Sequence, residues 1–323
     1  MKPLLAAASC GETSPTSSLL LWKEQAMRVG IAGIGKMGSA IAARLQEVGE
    51  AVIVWNRSRA KADATGLEVA DNPRLLAQES DIIISSLFDE AALDEVYGGE
   101  TGLLGAATGK LFIEMSTVRP RAQQSLSTSV AKANGAFIEC PVGGTTGPAR
   151  SGQLLGLVGG TTDDFERARP LLDKLCRRVE HMGPVGSGAL AKLAINLPLL
   201  VFWQSFGEAL ALMSDLGKQP DWLVQLFSET AGGANVLKVK ARAIAATLGG
   251  DQNVAATFEI DAMRKDLSMM LDEAGVRNMA LPVAKETLRA FEEAASSAGF
   301  GSRDCAYMPA YWVSRHGRKL PTR

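Results

Sequence analysis

Arg28-Val-Gly-Ile-Ala-Gly33-Ile-Gly-Lys-Met-Gly38 is the stretch whose reading decides the fold. Its first five residues make a short, mostly apolar run of the kind that forms a buried strand. The glycines that follow are spaced Gly-x-Gly-x-x-Gly, and residues 39–48 then carry apolar side chains at helical spacing. Ala51-Val-Ile-Val-Trp55 returns as a second strand. Strand, glycine turn, helix and strand make a βαβ unit, the context in which this glycine spacing binds a dinucleotide. Gly33 permits the tight turn, Gly35 lets the backbone approach a pyrophosphate, and Gly38 lets helix and strand pack closely. The free N–H groups at the helix start favour an anion. Gly33, Ile34, Gly35, Lys36, Met37 and Gly38 are therefore the first candidate cofactor-binding residues.

The end of the second strand bears on which dinucleotide is bound. A free ribose 2′-hydroxyl is ordinarily met there by Asp or Glu. This chain instead has Asn56-Arg57-Ser58, with Arg59 and Lys61 close behind. A guanidinium can hold a phosphate with two hydrogen bonds. Asn56, Arg57 and Ser58 thus favour NADPH over NADH.

Strands and helices go on alternating, with apolar runs at 81–85, 110–115, 136–139 and 156–158 and near Val179, and helical patterns between them. The first half is accordingly expected to be an α/β domain of doubly wound, Rossmann type over residues 27–185. Ligands of such sheets sit at the carboxyl ends of the strands, which brings in Leu87, Ser116 and Thr117. Pro141-Val-Gly-Gly-Thr-Thr-Gly147 follows another strand end, and Gly143 and Gly144 can bring backbone N–H groups close to a ligand. Cys140 beside them reads as a small buried hydrophobe.

Residues 186–323 read as an all-helical C-terminal domain suited to substrate binding and oligomerisation. Its first helix opens Gly186-Ser-Gly-Ala-Leu-Ala-Lys-Leu-Ala-Ile-Asn196. Lys192 and Asn196 are four residues apart and share a helix face. A lysine among Ala, Leu and Ile either snorkels to solvent or serves in proton transfer, since desolvation lowers its pKa. Pro198 is expected to kink this helix. Lys265-Asp266 is open to two readings, an exposed ion pair or part of a site. The tail from 299 onward is expected to wrap the surface.

Composition narrows the remaining classes. Of 323 residues, 46% are hydrophobic and 21% charged, with a formal net charge of −1, which gives no footprint for nucleic acid or for a membrane surface. The four cysteines form no Cys-x-x-Cys pair and there are only two histidines, so no metal site is expected. The most apolar run, 193–203, is interrupted by Asn196 and Pro198, and no membrane span is expected. Residues 1–10 look faintly like a lipoprotein signal with too short an apolar core. Residues 1–26 are expected to be a disordered extension, and the protein to be cytoplasmic.

The order and spacing of GIGKMG (33–38), MSTVRP (115–120), PVGGTTGPARSGQL (141–154), GSGALAKLAIN (186–196) and MRKDL (263–267) resemble the β-hydroxyacid dehydrogenase family. That family includes 3-hydroxyisobutyrate dehydrogenase, tartronate semialdehyde reductase and glyoxylate/succinic semialdehyde reductase, and its fold is 6-phosphogluconate dehydrogenase-like. The resemblance covers residues 27–304. It implies Lys192 as catalytic lysine with Asn196 beside it, Ser116 and the Gly143-Gly144 backbone on the substrate carboxylate, and Leu87, Thr117 and Lys265 at the cofactor. It also implies a homodimer or homotetramer acting on a small carboxylate substrate. Departures are Phe88 where many relatives have proline and Gly143 in place of serine; an Asp or Glu often stands two residues before the Pro-Val pair, and Glu139 does so here, with Cys140 between. Imine reductases share the fold but generally replace the lysine. A non-catalytic NADPH-binding scaffold is the other alternative.

Overall fold

The structure is a computed structural model and describes residues 27–318 and Leu320. The expected extension over 1–26 lies outside the described residues. The first half alternates as β1 (Arg28–Ala32), α1 (Lys36–Glu47), β2 (Ala51–Trp55), α2 (Arg59–Asp63), β3 (Glu68–Val69), α3 (Pro73–Gln78), β4 (Ile82–Ser85) and α4 (Glu90–Tyr97). It continues with β5 (Leu111–Glu114), α5 (Pro120–Lys132), β6 (Ala136–Glu139), β7 (Val142–Gly143), α6 (Thr146–Arg150), β8 (Leu154–Gly159), α7 (Thr162–Leu175) and β9 (Cys176–Gly183). These strands form one sheet in the order β3-β2-β1-β4-β5-β6-β8-β7, with β9 also on β8. From β3 to β6 all pairs are parallel, while β8 runs antiparallel to β6 and β7.

Parallel sheets bury both faces, so their strands read as continuous apolar runs. Ile82 and Ile84 of β4, with Val29, Ile31, Leu111 and Ile113, fill the core on one face. Ile83 of the same strand, with Ile53, Phe112 and Phe137, fills the core on the other. The two-residue period of a strand makes that division. Order reverses beside β1, where β2 lies to one side and β4 to the other. That is the crevice in which such sheets take their ligands.

The second half is helical among the described residues: α8 (Ser187–Met213), α9 (Pro220–Ser228), α10 (Val236–Leu248), α11 (Ile260–Val276), α12 (Pro282–Ala298) and α13 (Tyr307–Arg315). Its core gathers Leu200, Trp203, Phe206 and Leu210 of α8 with Ile244, Met263, Leu267, Phe291 and Tyr307. Two expectations need correction. Although Asn196 and Pro198 interrupt the apolar run, α8 continues through them as 27 residues of helix. By length and apolar content its residues 187–212 could therefore cross a membrane. Its packing shows instead the central helix of a core, with Gly188 seated on β8 at one end and Leu210 buried at the other. The tail does not simply wrap the surface, because Cys305, Ala306, Tyr307 and Met308 are buried in that core. A buried ion pair secures it, with Lys240 of α10 donating to both carboxylate oxygens of Asp304 at 2.5 and 2.6 Å.

Candidate active site

The glycine turn has the shape its spacing requires. Gly33 adopts φ +97°, and a Cβ there would lie 2.4 Å from the Ser86 carbonyl oxygen. A Cβ on Gly38 would lie 1.9 Å from the Gly33 oxygen, so helix and strand approach as closely as the motif demands. Gly35 faces open space and caps α1 without any side-chain hydrogen bond. Among the described residues the first amides of α1 thus have no side-chain cap and fit a pyrophosphate. Lys36, beside Gly35, is exposed and pairs at 2.6 Å with Glu259, the residue before α11.

Asn56 turns inward and locks this loop. Its Oδ1 accepts the Ile34 N–H at 2.9 Å, and its Nδ2 donates to the Ser58 carbonyl at 3.0 Å. Arg57 is 78% exposed and pairs with Glu95 of α4 at 3.1 Å. No carboxylate stands at the end of β2.

The ends of β4 and β5 supply the next layer. Ser116 is buried, and its Oγ accepts the Leu87 N–H at 2.7 Å. Leu87 in turn packs against Gly33. The Ser116 amide donates to Glu114 Oε1 at 2.6 Å. Glu114 is fully buried with Ser85 and Tyr97 on its other oxygen, and burial pushes its carboxyl up to about 7. Lys265 crosses from α11 and donates to the carbonyl oxygens of Phe88 (2.9 Å) and Thr117 (3.0 Å). Its ammonium also lies over the exposed Phe88 ring, 5.2 Å from the centroid. The helical half therefore closes onto the strand ends through a residue that the resemblance placed at the cofactor.

Lys192 is partly buried on the first part of α8, and its Nζ donates to Asn196 Oδ1 at 3.1 Å. Asn196 Nδ2 donates to Asp266 Oδ2 at 3.1 Å, and Asp266 Oδ1 is 3.5 Å from Lys265 Nζ. Lys192, Asn196, Asp266, Lys265 and Thr117 thus make one continuous polar chain from α8 through α11 to the end of β5. Burial lowers the Lys192 ammonium below its ordinary value, the Asp266 charge partly opposes this, and Lys265 adds to it. Burial raises the Asp266 carboxyl. Of the two readings of Lys265-Asp266, the exposed ion pair does not hold, since Asp266 is only 3% exposed.

Gly143 and Gly144 reach the same end through β8. Gly143 pairs with Leu155, while Gly188 of α8 stands where a Cβ would come within 2.2 Å of the Leu157 oxygen. Gly144 is exposed with φ +123°, a left-handed conformation that glycine tolerates. Cys140 is fully buried, and burial raises its thiol. Glu114 was not among the sequence candidates, and Asp266 was left open between a surface pair and a site. The position of Asp266 three residues after Met263 and one before Leu267, on the apolar face of α11, is a signal that could have found it.

A glycine-cradled dinucleotide crevice, closed by a helical half that carries a lysine–amide–carboxylate chain, defines an NAD(P)-dependent dehydrogenase. Residues 28–183 match the family model described as the NAD binding domain of 6-phosphogluconate dehydrogenase. Residues 186–311 match the model described as NAD-binding of NADP-dependent 3-hydroxyisobutyrate dehydrogenase. Glyoxylate/succinic semialdehyde reductase 1 of Arabidopsis thaliana is 30% identical over 282 residues, 86% of this chain and 96% of the relative. Mitochondrial 3-hydroxyisobutyrate dehydrogenase of Mus musculus is 32% identical over 230 residues, 69% of each. The crystal structure of 3-hydroxyisobutyrate dehydrogenase from Salmonella typhimurium aligns with TM-score 0.76 at 23% identity, over 88% of this chain and 99% of that one. The chain belongs to the β-hydroxyacid dehydrogenase family and is an NAD(P)-dependent hydroxyacid dehydrogenase or semialdehyde reductase.

Proposed function

We propose that the protein is an NADPH-dependent reductase of a small carboxylate-bearing semialdehyde or keto acid, run in reverse as a 3-hydroxy or 2-hydroxy acid dehydrogenase. The observation that carries this reading is the Lys192–Asn196–Asp266 chain. Reduced nicotinamide, when bound, supplies the hydride. The alkoxide so formed needs a proton, and Lys192 is the general acid that delivers it; in oxidation it is the base. Burial suits it to the task by lowering its pKa. Asn196 holds the ammonium in one orientation, and its amide is itself held by Asp266.

The cofactor would rest on the Gly33–Gly38 turn, with Asn56 bracing the turn, Arg57 and Ser58 at the ribose phosphate, and Leu87, Thr117 and Lys265 along the strand ends. NADPH preference is supported by the amide and guanidinium at Asn56-Arg57, where NADH binders carry a carboxylate. The substrate carboxylate would be held by the Gly143-Gly144 amides and by Ser116. The exposed Ile195, Leu212, Leu216 and Val239 of the helical half support assembly as a homodimer or homotetramer. Light scattering that finds only monomer at assay concentration would contradict that assembly. The chemistry is tested by following NADPH oxidation with a panel of small semialdehydes and keto acids. Steady turnover with a carboxylate-bearing aldehyde is expected, and binding of NADPH without turnover of any member contradicts the reading.

A further inference from the structure

Lys192 acts from a helix whose first turn is gripped from outside. Glu139 ends β6 and is fully buried. Its Oε1 accepts N–H groups from Gly186 (2.8 Å), Gly188 (2.7 Å) and Ala189 (3.2 Å), residues 47 to 50 places further along the chain. Gly186, the residue that caps α8, offers no side chain of its own to do this. Orphan amides at a helix start are commonly met by a local Ser, Thr or Asp. Here a distant carboxylate replaces that local cap.

The joint is built around this contact. A Cβ on Gly159 would come 2.2 Å from Glu139 Oε1, and one on Gly188 would come 2.2 Å from the Leu157 oxygen. Both positions are therefore kept bare so that α8 can sit down onto β8 and onto the carboxylate. Ala189 and Gly188 lie three and four residues before Lys192, one helical turn away. Glu139 Oε2 has no hydrogen-bond partner among the described residues. One oxygen thus does all the holding, and the length of the side chain sets how deep the helix sits.

We propose that Glu139 is a positioning residue for catalysis, which sets the depth and rotation of α8 and so the place of the Lys192 ammonium. The inference rests on the general-acid reading of Lys192. A side chain shortened by one methylene would draw the first turn of α8 toward β6 or leave its amides unmet. Proton delivery is sensitive to displacements of about 1 Å. Cofactor binding at the Gly33–Gly38 turn does not depend on this joint.

The test is a double-mutant cycle on the full chain with the best substrate of the panel, read as kcat and as the KM for NADPH. Glu139→Asp is expected to lower kcat roughly tenfold or more with the KM for NADPH little changed. Glu139→Gln keeps the length and one accepting oxygen and is expected to recover most of that loss. In a Lys192→Ala background Glu139→Asp is expected to have almost no further effect, because residues that act through one another are not additive. Three results overturn the proposal: unchanged kcat in Glu139→Asp, a loss in Glu139→Gln as large as in Glu139→Asp, or an equal loss with and without Lys192. Near wild-type turnover of Lys192→Ala alone would instead overturn the general-acid reading, a failure visible before the cycle is completed.

Discussion

Asn196 Nδ2 donates to Asp266 Oδ2 at 3.1 Å, joining the helix of Lys192 to the helix of Lys265. The same amide accepts from Lys192, so it passes the influence of a buried carboxylate to the lysine. The Asp266 charge raises the Lys192 pKa against the lowering by burial. Asp266→Asn removes that support. The ammonium form of Lys192 then survives only to lower pH, and the alkaline limb of the reduction rate should move down. A pH–kcat profile checks this, and a limb that stays put or moves up contradicts it.

A second pH effect concerns stability. Glu114 is held in the fold at about 7 instead of its ordinary 4.5, with Glu139 raised to about 7 on the neighbouring strand. A carboxyl raised in the folded state stabilises it fully below the unfolded value and loses that contribution as pH climbs through about 7. The shift of Glu114 corresponds to at most roughly 3 kcal/mol. The melting temperature should therefore fall by several degrees between pH 5 and 8. Glu114→Gln should flatten that slope. Its amide oxygen can still accept from Ser116 N, and its –NH2 can donate to Ser85 and Tyr97. Scanning calorimetry across this range decides the matter; an unchanged slope in Glu114→Gln would refute it.

Cofactor choice makes a third prediction. Arg57 is exposed and, among the described residues, pairs across the surface with Glu95, an ion pair that itself contributes little. A bidentate contact to a 2′-phosphate would contribute about 1.5–3 kcal/mol, tenfold or more in affinity. Arg57→Ala should thus weaken NADPH by at least tenfold and NADH hardly at all. Titration of both cofactors by fluorescence is the check, and equal weakening would mean Arg57 does not read the phosphate.

Lys265 makes a fourth. It is the bond from α11 to the Phe88 and Thr117 carbonyl oxygens, at the mouth of the crevice. Lys265→Ala should raise the KM for NADPH several-fold and lower kcat less, because it leaves Lys192 and Asn196 in place. A fall in kcat with unchanged KM would show that Lys265 acts on the chemistry instead.

What was legible in the sequence follows from the range of each interaction. Gly33, Gly35 and Gly38 act within one turn, and their spacing alone reveals them. Lys192 and Asn196 are one helical turn apart, so their hydrogen bond could be anticipated. The grip of Glu139 on Gly186 spans 47 residues, and no local pattern carries it. Asp266 stayed open between a surface pair and a site because its partner Asn196 lies 70 residues away. The burial of α13 was missed for a similar reason. Tyr307, Met308 and Tyr311 stand in a helix of nine residues after a glycine- and serine-rich stretch, and their apolar neighbours come from distant α8 and α10 and from Phe300.

The central claim is that Lys192 donates the proton. General acid–base catalysis contributes about 10²–10⁴-fold. Lys192→Ala, assayed by single-turnover NADPH oxidation with the best carboxylate-bearing aldehyde, should lose about that much in rate while NADPH binding and melting temperature are preserved. Lys192→Arg should not restore it, since a guanidinium does not release its proton in this range. Turnover of Lys192→Ala within a few-fold of wild type would contradict the account.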